Sequence, residues 1–379
     1  MAIVVEKGGL LSTVQDLGRH GYRSQGVPPA GAMDVRALRL ANALVGNPPD
    51  AAALEVTIDG PVLRFLEGRL VAVAGGAPVL SVRHQRRGED QAVKRSDAGS
   101  TEVERQGEAS VADPGGAPDV GRPFFVPAGG RLHIGALKTG ARALVAVAGG
   151  IDVPVVLGSR STYLPARFGG HHGRPLTPGD VLPLGNQALG TLPEAAACAA
   201  ANRWRRVRLA TDLLHGPHDV YEVRFIPGPE WGWLDERAQA AFVGAVFTVH
   251  PQSNRMGYRL SGPVLHLQFD APLYSAAVDW GTIQLPPDGR PIVLMADHQT
   301  TGGYPRIGSV AAVDRSLLSQ LRPGDRLAFV RIGHAQAEAL LRAEMLRIRT
   351  AEKAIRLKWA EILRDLAVSE GLNIGEQSD

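Results

Sequence analysis

LVAVAGGAPV at 70–79 and LVAVAGGIDV at 144–153 are the two most telling stretches of this 379-residue chain. Each is an apolar run closed by Gly-Gly, the pattern of a buried strand ended by a tight turn. Shorter echoes lie around them. GPVL occurs at 60–63 and again at 262–265, each time before a short apolar run. Pro-Gly-Asp occurs at 178–180 before VLPL and at 323–325 before RLAFV. Together the echoes imply two related β units, one before and one after about residue 200. Composition points the same way. Gly (45) and Pro (27) make 72 of 379 residues, well above the average of roughly 12% and a mark of many tight turns. The expected fold class is therefore mainly β, two units of barrel or sandwich type rather than a doubly wound sheet, with a long C-terminal α-helix.

Two segments depart from the strand pattern. Met33–Leu44 carries Leu38, Leu40, Ala41 and Leu44 behind Asp34, a natural N-cap. From Ala335 to Ser369, apolar residues fall at Leu341, Met345, Ile348, Ile355, Trp359, Ile362 and Leu366, with Glu352 in the skipped place. Spacings of four and three make a coiled-coil-like seam, which packs on the chain's own barrel or on another chain, a homodimer included. Residues 83–120 are dense in Arg, Glu, Asp and Gly and nearly empty of large apolar side chains. They bury too little to offset ordering entropy and are expected to form a mobile inserted loop. The domain expectation is a first unit over 1–190, a linker around 188–203, a second unit over 204–332, and the helix over 334–370.

Several function classes close at once. The net charge of +3 and 5% aromatic content do not supply the basic face interleaved with aromatics that nucleic acid requires, so no nucleic-acid partner is expected. The one cysteine, Cys198, excludes intrachain disulfides and Cys-cluster zinc sites. No long uncharged apolar window and no signal-peptide pattern occur, which implies no membrane partner and a cytoplasmic location. There is no P-loop, no G-x-G-x-x-G after a strand, no G-x-S-x-G and no H-E-x-x-H, and no metal site is readable. His171 and His172 are adjacent and would point apart on a strand. The Met-Lys-Met signature of a biotin carrier is absent too.

Dense polar turns remain. The first runs from Thr13 through Gln15, Asp16, Gly18 and Arg19 to Gly31-Ala32-Met33-Asp34, followed by Asn42, Asn47 and Glu55. The second is NRMGYRL at 254–260, where Arg255 and Arg259 would share one face of a strand; guanidinium forks suit carboxylate or phosphate. The third is Gln284 and then DHQTTGGYP at 297–305, with Asp297, Gln299, Thr300, Thr301, Gly302 and Tyr304. Its glycines let backbone approach a ligand, and its side chains offer donors and acceptors to a small polar molecule. The competing reading is of demanding turns whose side chains cap their own backbone. If these segments serve one ligand, the fold brings them to one cleft, with Gln15, Asp16 and Asp34 facing it from the first unit.

These same stretches resemble a known family. STVQDLGRHGY at 12–22, GAMD at 31–34, ANALVGN at 41–47, LEVTIDGP at 54–61, AGGIDVPVVLGSRST at 148–162, NRMGYRLSGP at 254–263 and GTIQLPPDGRPIVLMADHQTTGGYP at 281–305 are similar to the biotin-dependent carboxyltransferase-like proteins. That family includes the carboxyltransferase region of urea carboxylase, the allophanate hydrolase subunit 2 proteins, and the C component of bacterial ATP-dependent 5-oxoprolinase. The resemblance reaches to about residue 332; the length of the 83–120 loop and the terminal helix depart from it. It implies two cyclophilin-like β-barrel units. It also implies two partners, a protein of related fold like the B component of 5-oxoprolinase and a separate A component. Together they would convert 5-oxoproline, ATP and water to glutamate, ADP and phosphate. In that scheme Arg255 and Arg259 are candidates for the substrate carboxylate or a phosphate, and Asp297 for base or orienter. Gln299, Thr300 and Tyr304 would stand around the substrate. A second implied activity is carboxyl transfer from carboxybiotin, held on another chain, to a small amide such as urea. A third is non-catalytic: binding and neutralising a kinase inhibitor that resembles the B component.

Overall fold

The computed structural model describes residues 1–83, 118–186, 188–204, 209, 219–268 and 273–370. The two LVAVAGG runs become the paired centre of one sheet. Arg69–Gly75 and Arg142–Val147 are antiparallel neighbours, with Val71 opposite Val147 and Val73 opposite Val145. Around them the five-stranded order is Leu11–Gln15, Ala53–Thr57, Arg142–Val147, Arg69–Gly75, Pro123–Val126. Both faces are buried because each packs against a different layer. Val71, Val73, Val145 and Val147 point into a core shared with a second five-stranded sheet. Its order is Val181–Pro183, Ala2–Lys7, Val62–Phe65, Arg131–Leu137, Pro78–Arg83. Ala72, Ala74, Leu144 and Ala146 point the other way, toward helices. Small side chains on that face let helix α1 (Val35–Leu44) lie close to the strands.

The second half closes into a seven-stranded barrel: Tyr221–Pro227, Arg306–Val310, Thr282–Gln284, Ile292–Leu294, Gly257–Ser261, Val246–Val249 and Arg326–Arg331. Tyr221–Pro227 pairs in parallel with Arg326–Arg331 to shut it. Its core is aromatic, with Phe242 stacked on Phe329 at 4.5 Å between centroids. Thus where the sequence implies two barrels, the described residues form one closed barrel preceded by two stacked sheets. The echoes also part company here. Both Pro-Gly-Asp turns lead into strands, Val181–Pro183 and Arg326–Arg331. GPVL enters a strand at 60–63 but at 262–265 is irregular, following Gly257–Ser261.

The expected mobile loop at 83–120 lies, apart from its ends, outside the described residues. The stretch read as a linker contains instead helix α2 (Glu194–Arg203), with Ala196, Ala197, Ala200 and Ala201 buried. A run of alanines supplies helix propensity and a flat face for close packing, which composition alone cannot distinguish from a spacer. After the short helices α3 (Glu236–Gly244) and α4 (Arg315–Ser319), the terminal helix α5 (His334–Glu370) returns to its own chain. Ile355, Trp359, Ile362 and Leu366 are buried with α1 and α2. The Trp359 indole donates to the Leu44 carbonyl at 3.1 Å, and Arg39 makes a two-pronged bond to Glu352. The residue that interrupts the apolar seam is therefore the one that orients it.

The turn at 178–180 owes its shape to Asp180. That carboxylate accepts from both terminal nitrogens of Arg174 at 2.8 and 2.7 Å and from the Thr177 amide at 2.8 Å, with His171 Nε2 at 3.3 Å. The hydrogen bonds from Arg174 dominate and hold its pKa well below the carboxylate range. A depressed carboxylate contributes stability that is whole above its unfolded pKa, about 4, and that fades as pH falls through the folded value. Asp180→Asn should therefore lower stability at neutral pH and flatten the acid limb below about pH 4. Parallel stability-versus-pH curves for the two proteins would refute this. His171 and His172, expected to diverge, sit in a turn rather than a strand, and their rings meet edge to face at 4.3 Å.

Candidate active site at the junction of sheet and barrel

Three polar segments converge where the first sheet meets the barrel. In the strand Leu11–Gln15, alternation sends Val14 into the sheet core, while Thr13 pairs with Glu55 on the neighbouring strand. Gln15 Nε2 donates to Thr13 Oγ1 at 3.0 Å and to the Thr162 carbonyl at 3.2 Å. Asp16 begins the turn that follows and is fully engaged. It accepts from Gly18 N (2.8 Å), Ser159 Oγ (2.6 Å), Ser161 Oγ (2.5 Å) and Arg160 N (2.5 Å). The turn presses against the next loop, and both contact residues are glycine. A Cβ on Gly31, at φ +88°, would lie 2.9 Å from the Gly18 nitrogen. That approach leaves the Gly31 carbonyl aimed at the barrel.

From the barrel side comes Arg255, in the bend before Gly257–Ser261. Its guanidinium is buried, and each of its nitrogens donates at least one hydrogen bond. Nε and Nη2 donate to the two oxygens of Asp297 at 2.9 and 3.0 Å. Nη2 also donates to the Gly31 carbonyl at 2.6 Å, and Nη1 donates to Glu55 Oε1. Glu55 Oε2 accepts from the Met33 amide at 2.7 Å, and Met33 itself plugs the barrel core. Glu55 and Asp297 are each about 1% exposed. Burial alone would weaken the Arg255 charge, but the two carboxylates outweigh it and raise its pKa. Arg142 extends the network, donating from Nη1 to Tyr258 Oη at 2.6 Å and to the Ser319 carbonyl, with Nε 3.9 Å from Glu55.

Asp34 behaves as its helix position demands. It caps α1 through the Ala37 amide at 2.9 Å and accepts from Gln320 Nε2 at 2.7 Å. Burial pushes its carboxyl pKa up. Its oxygens are thus spent on the junction rather than offered to a ligand.

The structure divides the residues expected at the site. It joins Arg255 and Asp297, while the side chains of Gln15 and Asp16 bond within the first unit, to Thr13, Gly18 and the 159–162 loop. It separates Arg259 from them. Regular strand alternation begins only at Gly257, so Tyr258 and Leu260 point inward and Arg259 is exposed on the barrel wall. Beyond Asp297 and His298, the 297–305 segment rises to the surface. Thr301–Gly302 pairs with Ala276–Ala277 as a two-stranded flap, Thr300 bonds through its carbonyl to Val278, and Tyr304 is 46% exposed. Gln284 is buried beneath the flap, accepting from Gln299 at 3.4 Å.

Three participants escaped assignment from sequence. Arg19 and Glu55 stand in the first polar stretch with no role attached, and Tyr163 carries no local signal. Tyr163 is half buried beside Asp297 and Arg19; burial and the Asp297 charge raise its pKa. His298 is also buried, its Nδ1 2.5 Å from the Gln299 carbonyl; burial lowers its pKa, which favours a neutral imidazole. Among the described residues no group of three or more His, Cys, Asp or Glu could hold a metal ion, and no helix is long and apolar enough to cross a membrane.

Comparison with known proteins gives the chain's relatives. The family model of the carboxyltransferase domain, subdomain A and B, matches residues 25–331. The chain is 36% identical over 331 residues to the 5-oxoprolinase C component of Escherichia coli (strain K12), covering 87% of this chain and 91% of that protein. It is 31% identical over 338 residues to the 5-oxoprolinase C component of Haemophilus influenzae, with 87% and 91% covered. Among solved structures it resembles the K. lactis urea amidolyase, with a TM-score of 0.74 and 28% identity. That match covers 92% of this chain but only 20% of the larger one.

Proposed function

This chain belongs to the family of the carboxyltransferase domain, subdomain A and B, and on that premise we propose that it is the C component of an ATP-dependent 5-oxoprolinase. The observation that carries the reading is end-to-end likeness. The chain spans 91% of a free-standing 5-oxoprolinase C component at 36% identity, but only a fifth of a urea amidolyase. In this reading it works with a B component of related fold and a separate A component, opening the lactam of 5-oxoproline to glutamate. ATP is the co-substrate of the assembled complex, and each half of this chain derives from a cyclophilin-like unit.

The chemistry assigned to this chain is orientation and proton movement. An amide carbonyl resists water until it is activated, and ring opening then needs a proton delivered to the departing nitrogen. Asp297 is suited to hold that proton or the attacking water. Arg255 takes one lone pair from each of its oxygens and fixes the carboxylate plane, leaving the other lone pairs free. Arg255 itself has no edge left for substrate, so its role is to position Asp297. Tyr163, Gln284 and Gln299 supply neutral donors around the same place.

The alternative, carboxyl transfer from carboxybiotin to a small amide, is favoured by the fold match to urea amidolyase. It requires a biotin carrier on another chain. The deciding experiment is reconstitution with the A and B components. ATP-dependent glutamate release from 5-oxoproline should require this chain. Release without it, or biotin-dependent carboxylation of urea in place of release, would overturn the assignment.

A further inference from the structure

Arg19 is a fully buried cation that the protein does not satisfy. Among the described residues only its Nη2 meets an acceptor, the Ser161 carbonyl; Nε and Nη1 have no hydrogen-bond partner there. Nearby carboxylates do not fill the gap. Asp16 and Asp297 act on Arg19 electrostatically. Yet among the described residues neither accepts a hydrogen bond from it: Asp16 accepts from Gly18, Ser159, Arg160 and Ser161, and Asp297 from Arg255. The Arg19 Cζ lies 4.7 Å over the centroid of the Phe168 ring, a contact that supplies no conventional acceptor for Nε or Nη1. Leaving charged donors buried and unpaired is costly, so such donors are retained where something else completes them. Gln15, whose Nε2 donates to the carbonyl of Thr162, the residue after Ser161, also has its Oε1 buried without a partner.

We propose that Arg19 is the carboxylate-recognition residue of this site: an unpartnered N–H of its guanidinium, at Nε or Nη1, binds the carboxylate of the substrate, holding the amide of the same molecule toward Asp297 and Tyr163. The role expected of Arg255 and Arg259 thus falls to Arg19, since the forked edges of Arg255 are held by Asp297, Glu55 and Gly31 and Arg259 faces away. This inference rests on the 5-oxoprolinase reading for the identity of the substrate, but not for the existence of the carboxylate site.

The test has two readouts on the full-length chain and its reconstituted complex. In the chain alone, the Arg19 Nε–H resonance, assigned by its loss in Arg19→Lys, should shift saturably with acetate and with 5-oxoproline. It should shift little with 2-pyrrolidinone, the same lactam without the carboxylate. In the complex, Arg19→Lys should raise KM for 5-oxoproline by about 10- to 100-fold, as expected for a charged hydrogen bond, and change kcat much less. An Arg19 signal indifferent to both carboxylates overturns the proposal, as does an unchanged KM in a folded variant. If acetate moves Arg19 while 5-oxoproline binds no better than acetate, the carboxylate site stands and the lactam assignment falls.

Discussion

Arg255→Met should cost this protein about 3–5 kcal/mol of folding free energy, the scale for removing one partner of a buried ion cluster. The reason is local. Glu55 and Asp297 are both about 1% exposed, and the Arg255 guanidinium bonds to both of them. Without it two carboxylates share a dry site, and the Gly31 carbonyl loses its donor. Glu55 retains the Met33 amide and a distant Arg142, which compensates little. The cluster also joins the sheet to the barrel, so its loss should loosen both. Urea denaturation measures this directly. A companion variant, Arg255→Met with Glu55→Gln and Asp297→Asn, removes the charges together and should recover most of the loss. A deficit below about 1 kcal/mol for the single variant, the value of an exposed pair, would show that water reaches the cluster.

Asp297→Asn should lower turnover of the reconstituted complex by roughly 10²- to 10⁴-fold, the usual contribution of a positioned acid or base. KM should move far less. Asn has nearly the same shape, and Arg255 keeps Glu55 and the Gly31 carbonyl, so the variant should fold. The split matters because it separates Asp297 from Arg19. One should act on kcat and the other on KM, although both belong to one site. Normal turnover by a folded Asp297→Asn protein would reduce Asp297 to a counter-ion for Arg255, leaving the segment a structural turn.

Part of this architecture was legible in the chain because it is local. Asp34 caps α1 as its spacing requires, and the LVAVAGG runs are buried strands because nothing in them tolerates water. The alternation within those runs, Val against Ala, records two different neighbours: a sheet on the Val face and helices on the Ala face. The seam of the terminal helix was equally plain. Its destination was not, since a pattern of apolar residues specifies that a face is buried but not what buries it. Glu352 meeting Arg39, 313 positions away, settled that.

The candidate site shows the same division. Sequence alone determined which residue types were available: acids, amides and arginines in glycine-rich turns, strung along segments that fold as turns wherever they lie. Tertiary structure decided their roles. Arg255 and Arg259 look interchangeable in NRMGYRL, and only the point at which the barrel strand begins sends one inward and the other to solvent. Arg255 meets Glu55 across 200 residues, and this contact turns an apparent substrate ligand into a positioning group. Arg19 looks like any surface arginine in a polar turn until Ser161 and Phe168, some 140 positions on, bury it without satisfying it. Burial and pairing are properties of the assembled chain. A side chain's charge is written in its own residue, but whether that charge is spent or left over depends on every residue folded around it.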